Sequence, residues 1–319
     1  MDELLYPDKK IPTKCPHCNE KITIVGNRKS HTSLPITLYK YVPLESAEKI
    51  LSEGSIKLMR PIEANDTFEF MPAFEGSTNN KLLAIDAVKN SRILVSSFSR
   101  SCHIPTMWGH YADKSTGICL GFKTQLILNF RIGDELTANN NKLKGVPILI
   151  SSSDNNIIFY PVLYMKERLK PSDNPDSYIN SFLPACVKSF SWEYEHEFRL
   201  ILKENEATYV QNGQYFYKPI LSLLDCIILG PNCKVSVNYM KKFLETKRTK
   251  SITQTVTVHQ AEYHPNLFRI ITPGYDDTLE DSNGEYKDEI PAILTVGSSF
   301  SRDDLKGVQV GETVIYKNE

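Results

Sequence analysis

An excess of charge of either sign is missing from this sequence. Lys plus Arg total 37 and Asp plus Glu total 38, a formal net charge of −1. The chain as a whole therefore has no field with which to hold nucleic acid or an anionic membrane. Such a contact needs a local patch, and the one dense basic run is Lys241, Lys242, Lys247, Arg248 and Lys250. An exposed helix end is its plainer reading. Long apolar runs are missing too. Ile148-Leu149-Ile150 and Ile227-Ile228-Leu229 are strand-sized, far below the ~20 residues of a membrane span, so no membrane partner is expected. The opening Met1-Asp2-Glu3-Leu4-Leu5-Tyr6-Pro7 lacks the basic start and apolar run of a signal peptide. Seven cysteines, an odd number in a long chain, speak against a secreted disulfide framework. Together these absences point to a cytoplasmic, reducing location. There is no Gly-x-x-x-x-Gly-Lys-Ser/Thr loop, no Gly-x-Gly-x-x-Gly fingerprint and no Gly-x-Ser-x-Gly elbow. P-loop nucleotidases, Rossmann dehydrogenases and α/β-hydrolases are thereby disfavoured.

What is present is ordinary for a folded protein: 41% hydrophobic and 24% charged residues, which excludes disorder across the whole chain. The 319 residues read as one large domain over 34–273. An N-terminal extension precedes it over 1–33, and an acidic linker and tail follow over 274–319.

The pattern predicts strands at Leu38–Val42, Ile56–Met59, Ile93–Ser99, Gly117–Phe122, Ile157–Tyr164, Glu195–Leu202 and Thr255–His259. It predicts helices at Ala47–Ser52 (capped by Ser46 and ended by Gly54), Lys81–Lys89, Asn180–Phe190 and Tyr239–Lys247, with a short one at Met107–Ala112. Residues 124–131 also read as helical. Asp276–Glu289 is dense in carboxylates and reads as a solvated linker. Ala292–Tyr316 carries strand-like runs.

Four features carry candidate chemistry. Cys15-Pro16-His17-Cys18 is one half of a zinc ribbon, since a two-residue spacing lets two thiolates grip one tetrahedral ion. Its other ligands are open among His17, His31, Cys226 and Cys233, and the zinc would be structural. Glu193-x-Glu195-x-Glu197 is the most informative run. On a strand, alternate residues share a face, so these carboxylates and Arg199 crowd together and perturb one another's ionisation unless a cation or ligand sits among them. A solvated edge strand is the bland alternative. Ser97-Phe98-Ser99 puts two hydroxyls on one face, able to hold a ligand or orient a neighbouring carboxylate. Trp108, His110 and Tyr111 form an aromatic cluster that can stack a planar ring, although core packing is the commoner use. Asn65, Asp66 and Glu69 fall in a turn, where capping is the plainer role.

The order Leu38-Tyr39-Lys40-Tyr41, Asn65-Asp66-Thr67-Phe68-Glu69, Ser97-Phe98-Ser99, Met107-Trp108-Gly109-His110-Tyr111-Ala112-Asp113, Gly117-Ile118-Cys119-Leu120-Gly121-Phe122, Trp192-Glu193-Tyr194-Glu195-His196-Glu197-Phe198-Arg199 resembles a bacterial family called domain of unknown function 2971. The resemblance runs from about Leu38 to Gly230. Thr67 stands where that family expects proline. More weakly, the chain resembles the ADP-ribosyltransferase superfamily and its DNA-modifying toxin branch. That resemblance implies an α+β fold with a split, mostly antiparallel β-sheet core and flanking helices. It implies NAD as substrate, with Tyr39, Lys40 and Tyr41 at the first motif, Ser97, Phe98 and Ser99 at the second, and Glu195 and Glu197 at the third. Lys40 or Tyr39 replaces the usual Arg or His, and Phe98 stands where many members have threonine. Glu197 would stabilise the ribosyl cation as nicotinamide leaves, oriented by Ser97, and Glu195 would handle the acceptor nucleophile. Tyr39, Phe98 or Trp108 would stack on nicotinamide, with Asn65 beside them. The implied partners are an acceptor macromolecule (DNA, RNA or protein) and a regulatory protein, in a toxin or antiphage setting. The competing classes are a non-catalytic nucleotide- or partner-binding module, and a metal-dependent nuclease built on Asp66, Glu69, Glu195 and Glu197. If the transferase reading is right, Tyr39, Ser97 and Glu197 meet in one cleft.

Overall fold

Some strands form here where apolar and polar residues alternate, because a pleated sheet then buries one face; others, such as Leu224–Leu229, are buried on both faces. The computed structural model describes residues 33–71, 73, 78–127, 144–145, 148–150, 157–166, 168, 184–252, 254–277, 280–285, 308–310 and 313–314. The first half runs β1 (Ser33–Val42), α1 (Leu44–Lys49), β2 (Ile56–Leu58), α2 (Thr78–Asn90), β3 (Ile93–Ser99), α3 (Pro105–Tyr111), β4 (Ile118–Ile127), β5 (Lys144–Gly145), β6 (Ile148–Ile150) and β7 (Ile158–Pro161). There follow β8 (Leu163–Met165), β9 (Val187–Ser189), β10 (Glu197–Lys203), β11 (Tyr209–Gln211), β12 (Gln214–Tyr217), β13 (Leu224–Leu229), α4 (Val237–Lys247), β14 (Thr257–Gln260), β15 (Glu262–Tyr263), β16 (Ile270–Ile271), β17 (Val308–Val310) and β18 (Thr313–Val314).

The architecture is mixed α+β, and its main sheet curls on itself. The eight strands run β1-β3-β10-β7-β6-β4-β13-β14, and β1 also pairs with β4. Six strands thus close a ring in which every neighbouring pair is antiparallel. Outside the ring, β13 lies antiparallel along the first half of β4, and β14 is parallel to β13. Among the described residues no helix is long and apolar enough to cross a membrane.

One face of the ring strands carries Leu38, Phe98, Phe122, Phe159 and Leu200, all buried in one core. Phe98 meets Phe122 and Phe159 edge-to-face, with ring centroids at 5.5 and 5.2 Å, a favoured aromatic geometry. Because side chains alternate, the residues between them (Tyr39, Ser97, Ser99, Glu197 and Arg199) fall on the other face. Gly121 lies where β4 is squeezed between β1 and β13. A Cβ there would meet Cys226 Sγ at 2.3 Å and Thr37 Cγ2 at 3.1 Å, so the site admits no side chain without displacing its neighbours.

Several expectations are overturned. No long helix occupies the described part of Asn180–Phe190: Pro184–Cys186 makes a single 3-10 turn and Val187–Ser189 pairs as a strand with β8. Residues 124–127 are not helical, because β4 continues through them against β1 and β6. Ser46 is not a cap, since α1 starts at Leu44 directly after Pro43. Within the acidic stretch, the described residues 276–277 and 280–285 do not make a uniformly solvated linker. Tyr275, Asp277 and Glu280 are buried, with the Tyr39 hydroxyl donating to Asp277 at 2.5 Å and Ser101 donating to Glu280 at 2.7 Å. The basic run behaves as its plainer reading has it, with Lys241, Lys242, Lys247, Arg248 and Lys250 all exposed on and just after α4. The Cys15 and Cys18 knuckle lies outside the described residues.

Candidate active site

The glutamate run is not one strand. Phe190–Glu195 winds as 3-10 helix and β10 starts only at Glu197. Between them His196 is left-handed, with φ 45° and ψ 51°, a conformation that residues other than glycine adopt at a cost. The turn is pinned on three sides. Ser99 Oγ donates to the Glu195 carbonyl at 2.7 Å, and the Arg100 N–H to the His196 carbonyl at 3.0 Å. The Glu197 N–H donates to the Tyr164 hydroxyl at 2.8 Å. Glu193 is left half-buried at the side, whereas Glu195 is brought round beside Glu197.

The two carboxylates meet over a lysine that sequence reading missed. Lys188 Nζ lies 2.5 Å from Glu195 Oε2 and 3.2 Å from Glu197 Oε2. Arg199 grips Glu197 with both arms, Nε to Oε1 at 2.7 Å and Nη2 to Oε2 at 2.9 Å. Its Nη2 also bonds Glu69, and its Nη1 donates to the Ala185 carbonyl at 2.8 Å. Glu69 is therefore no cap; it is the third carboxylate of the cluster. Three carboxylates face two cations, and none of the five is more than 6% exposed. Buried charges persist only when paired and hydrogen-bonded in this way.

The environments push the carboxylates apart. Burial raises Glu197, but Arg199 and Lys188 outweigh it and, with a Ser97 hydrogen bond, hold the carboxyl down at about 2. Glu195 moves up, through burial and then the charge of Glu197, against the pull of Lys188 and Tyr111. Such divergence is how neighbouring carboxyls take different roles in acid–base chemistry. Tyr111 donates to Glu195 Oε1 at 2.5 Å and touches Asn65 Nδ2 at 3.5 Å.

These groups wall a cavity of about 330 Å³, lined among others by Tyr39, Lys40, Ser97, Ser99, Glu195 and Glu197. Tyr41, Phe98 and the exposed Asn65 also border it. Most Phe98 contacts are in the core, however, and Tyr41 donates to the Ser101 carbonyl at 2.8 Å. Trp108 is not available for stacking. It is fully buried, its indole N–H donating to the Cys102 carbonyl at 2.7 Å. Tyr111, one turn further along α3, takes the place beside the cavity. Asp66 stays out of the cluster, in a local turn that accepts the Phe68 N–H at 2.9 Å. Where a divalent ion bound by Glu69, Glu195 and Glu197 would sit, Lys188 and Arg199 already stand. Among the described residues no group of His, Cys, Asp and Glu is arranged to hold a metal ion.

Sequence signals for Lys188 and Tyr111 are weak. Lys188 reads as one more charge on an expected helix, and Tyr111 as part of an aromatic cluster whose inner and outer members only packing separates. No curated protein and no solved structure matches the chain. Residues 107–200 match the model of a family described as protein of unknown function (DUF2971), a stretch holding Tyr111, Lys188, Glu195, Glu197 and Arg199.

Proposed function

We propose that the chain is an NAD-dependent ADP-ribosyltransferase that transfers ADP-ribose to a macromolecular acceptor, nucleic acid or protein. One observation supports this above the rest. Tyr39 of β1 stands opposite Ser99 of β3, and Ser99 stands opposite Glu197 of β10. The three motifs of the resemblance thus form one row across three adjacent strands, at the wall of one cavity.

The chemistry is consistent with that placement. Loss of nicotinamide builds positive charge on the ribose, and a fixed carboxylate interacts with it more strongly in the transition state than before. Arg199 and Ser97 fix Glu197 in its ionised form, and the cluster keeps one carboxylate more than it has cations. Glu195, raised and hydrogen-bonded to Tyr111, suits proton transfer from an acceptor nucleophile. The cavity suits a nicotinamide riboside portion, leaving the adenylate end outside it.

The test is nicotinamide release from NAD. Wild type should release it, and Glu197→Gln should lose about 10²- to 10³-fold, the usual cost of one transition-state charge contact. Mass spectrometry of cell extract incubated with NAD should reveal what gains ADP-ribose. Folded wild-type protein that neither binds NAD nor releases nicotinamide, with extract supplied as acceptor, overturns the reading.

A further inference from the structure

Tyr39, Tyr41 and Tyr111 all border the cavity, and their hydroxyls go different ways. Tyr39 donates to Asp277 and Tyr41 to the Ser101 carbonyl. Of the three, Tyr111 alone donates to a carboxylate of the cavity, Glu195 Oε1, at 2.5 Å. Glu195 does not need that bond to stay in place. Lys188 holds its other oxygen at 2.5 Å, and Ser99 holds its backbone carbonyl at 2.7 Å. A hydroxyl, a carboxylate placed to take its proton and a third group that orients the carboxylate make the arrangement of an activated nucleophile. Tyr111 is half-buried, and among the described residues the Asn65 amide at 3.5 Å is the one other hydrogen-bond partner of its oxygen. A lone pair therefore remains for an electrophile.

We propose that Tyr111 is a catalytic nucleophile that takes C1 of a ribosyl group onto its phenol oxygen, with Glu195 as its base. The proposal rests on the transferase reading above and names the group that first receives the sugar. Tyrosine is the nucleophile in one class of glycosidases. The phenol oxygen forms a bond to C1′ while the C1′–nitrogen bond breaks and its electron pair leaves with neutral nicotinamide. The phenol proton passes to Glu195. In the second step the acceptor attacks C1′ and the C1′–oxygen bond breaks. Its electron pair stays on the phenol oxygen, which takes the proton back from Glu195, and the acceptor's proton passes through Glu195 to solvent. A phenol, with an ordinary pKa of about 10, leaves more readily than an aliphatic hydroxyl, so the adduct is an intermediate and not a dead end. Burial first, and then Glu195, raise the Tyr111 phenol, so its proton leaves in step with the attack and not before it.

The experiment incubates full-length protein with the 2′-fluoro-arabino analogue of NAD and, separately, with a dinitrophenyl 2-fluoro-arabinofuranoside. Fluorine at C2 slows both steps by disfavouring positive charge at C1, and a good leaving group lets the first still run, so the adduct accumulates. Peptide mass spectrometry maps it. Both probes should label Tyr111, and labelling in Glu195→Gln should slow by about 10²- to 10⁴-fold, the usual contribution of a general base. Tyr111→Phe, first checked for folding by thermal unfolding, should release nicotinamide from NAD more slowly than wild type, and undiminished release overturns the proposal. An adduct on Glu195 or Glu197 in place of Tyr111 overturns it as well. So does the absence of any Tyr111 adduct with both probes. If wild type then still releases nicotinamide and Tyr111→Phe is slower, Tyr111 only positions Glu195 and the transferase reading stands. Labelling of Tyr111 by the furanoside without any nicotinamide release from NAD upholds the nucleophile and sinks only the NAD reading.

Discussion

Glu280 offers a sharp test of how burial governs this chain. Its carboxyl is 3% exposed and accepts the Ser101 hydroxyl at 2.7 Å. Burial pushes it up to about 8, opposed first by the Ser101 hydrogen bond; the charge of Asp277 adds to the rise, and Arg100 and Arg269 pull weakly against it. His103 stands 3.9 Å away, but burial lowers its pKa, so at neutral pH the contact joins two uncharged groups. The folded state holds the Glu280 proton where the unfolded chain, with an ordinary value of 4.5, gives it up. Stability from this group is therefore complete below 4.5 and is lost as pH rises toward 8, at about 1.4 kcal/mol per unit. At pH 7 the loss amounts to roughly 3 kcal/mol. Glu280→Gln keeps an acceptor for Ser101 and cannot ionise. Its new amide N–H group adds a cost, but one that does not change with pH. Urea unfolding of both proteins between about pH 5 and pH 7.5, with equal m-values, should show the variant gaining about 3 kcal/mol on wild type across that range. Two stability curves that run parallel over that range would refute the reasoning.

Two further outcomes concern the site. Arg199→Met strips Glu197 and Glu69 of their shared cation inside a dry cluster, and should cost about 3–5 kcal/mol at neutral pH by chemical unfolding. Glu197, held near 2 against an ordinary 4.5, supplies stability that is present above 4.5 and lost as pH falls toward 2; in this variant that acid limb should shrink. His196→Gly should leave the melting temperature near wild type, because glycine accepts positive φ. His196→Val should instead lose about 1–3 kcal/mol, and equal melting temperatures for the two would show that the turn carries no backbone strain.

The order of residue types along the chain is enough to specify the alternating strands. Phe98 and Leu200 had to face a core and Ser97, Ser99 and Arg199 the opposite way, because side chains alternate along any strand. It also determined that glutamates near 195 would crowd, and that no field of one sign surrounds the chain. Tertiary structure decided what the crowding meant. An alternating pattern does not reveal that a left-handed His196 interrupts it, because that conformation is held by Ser99, Arg100 and Tyr164 from elsewhere in the chain. Nor does it reveal that Lys188 and Glu69 complete the cluster, since their distance from Glu197 along the chain carries no local period. The acid-rich stretch after Asp276 makes the same point. Charge density alone favours solvent, and it takes partners that the fold brings up, the hydroxyls of Tyr39 and Ser101 among them, to hold Asp277 and Glu280 inside.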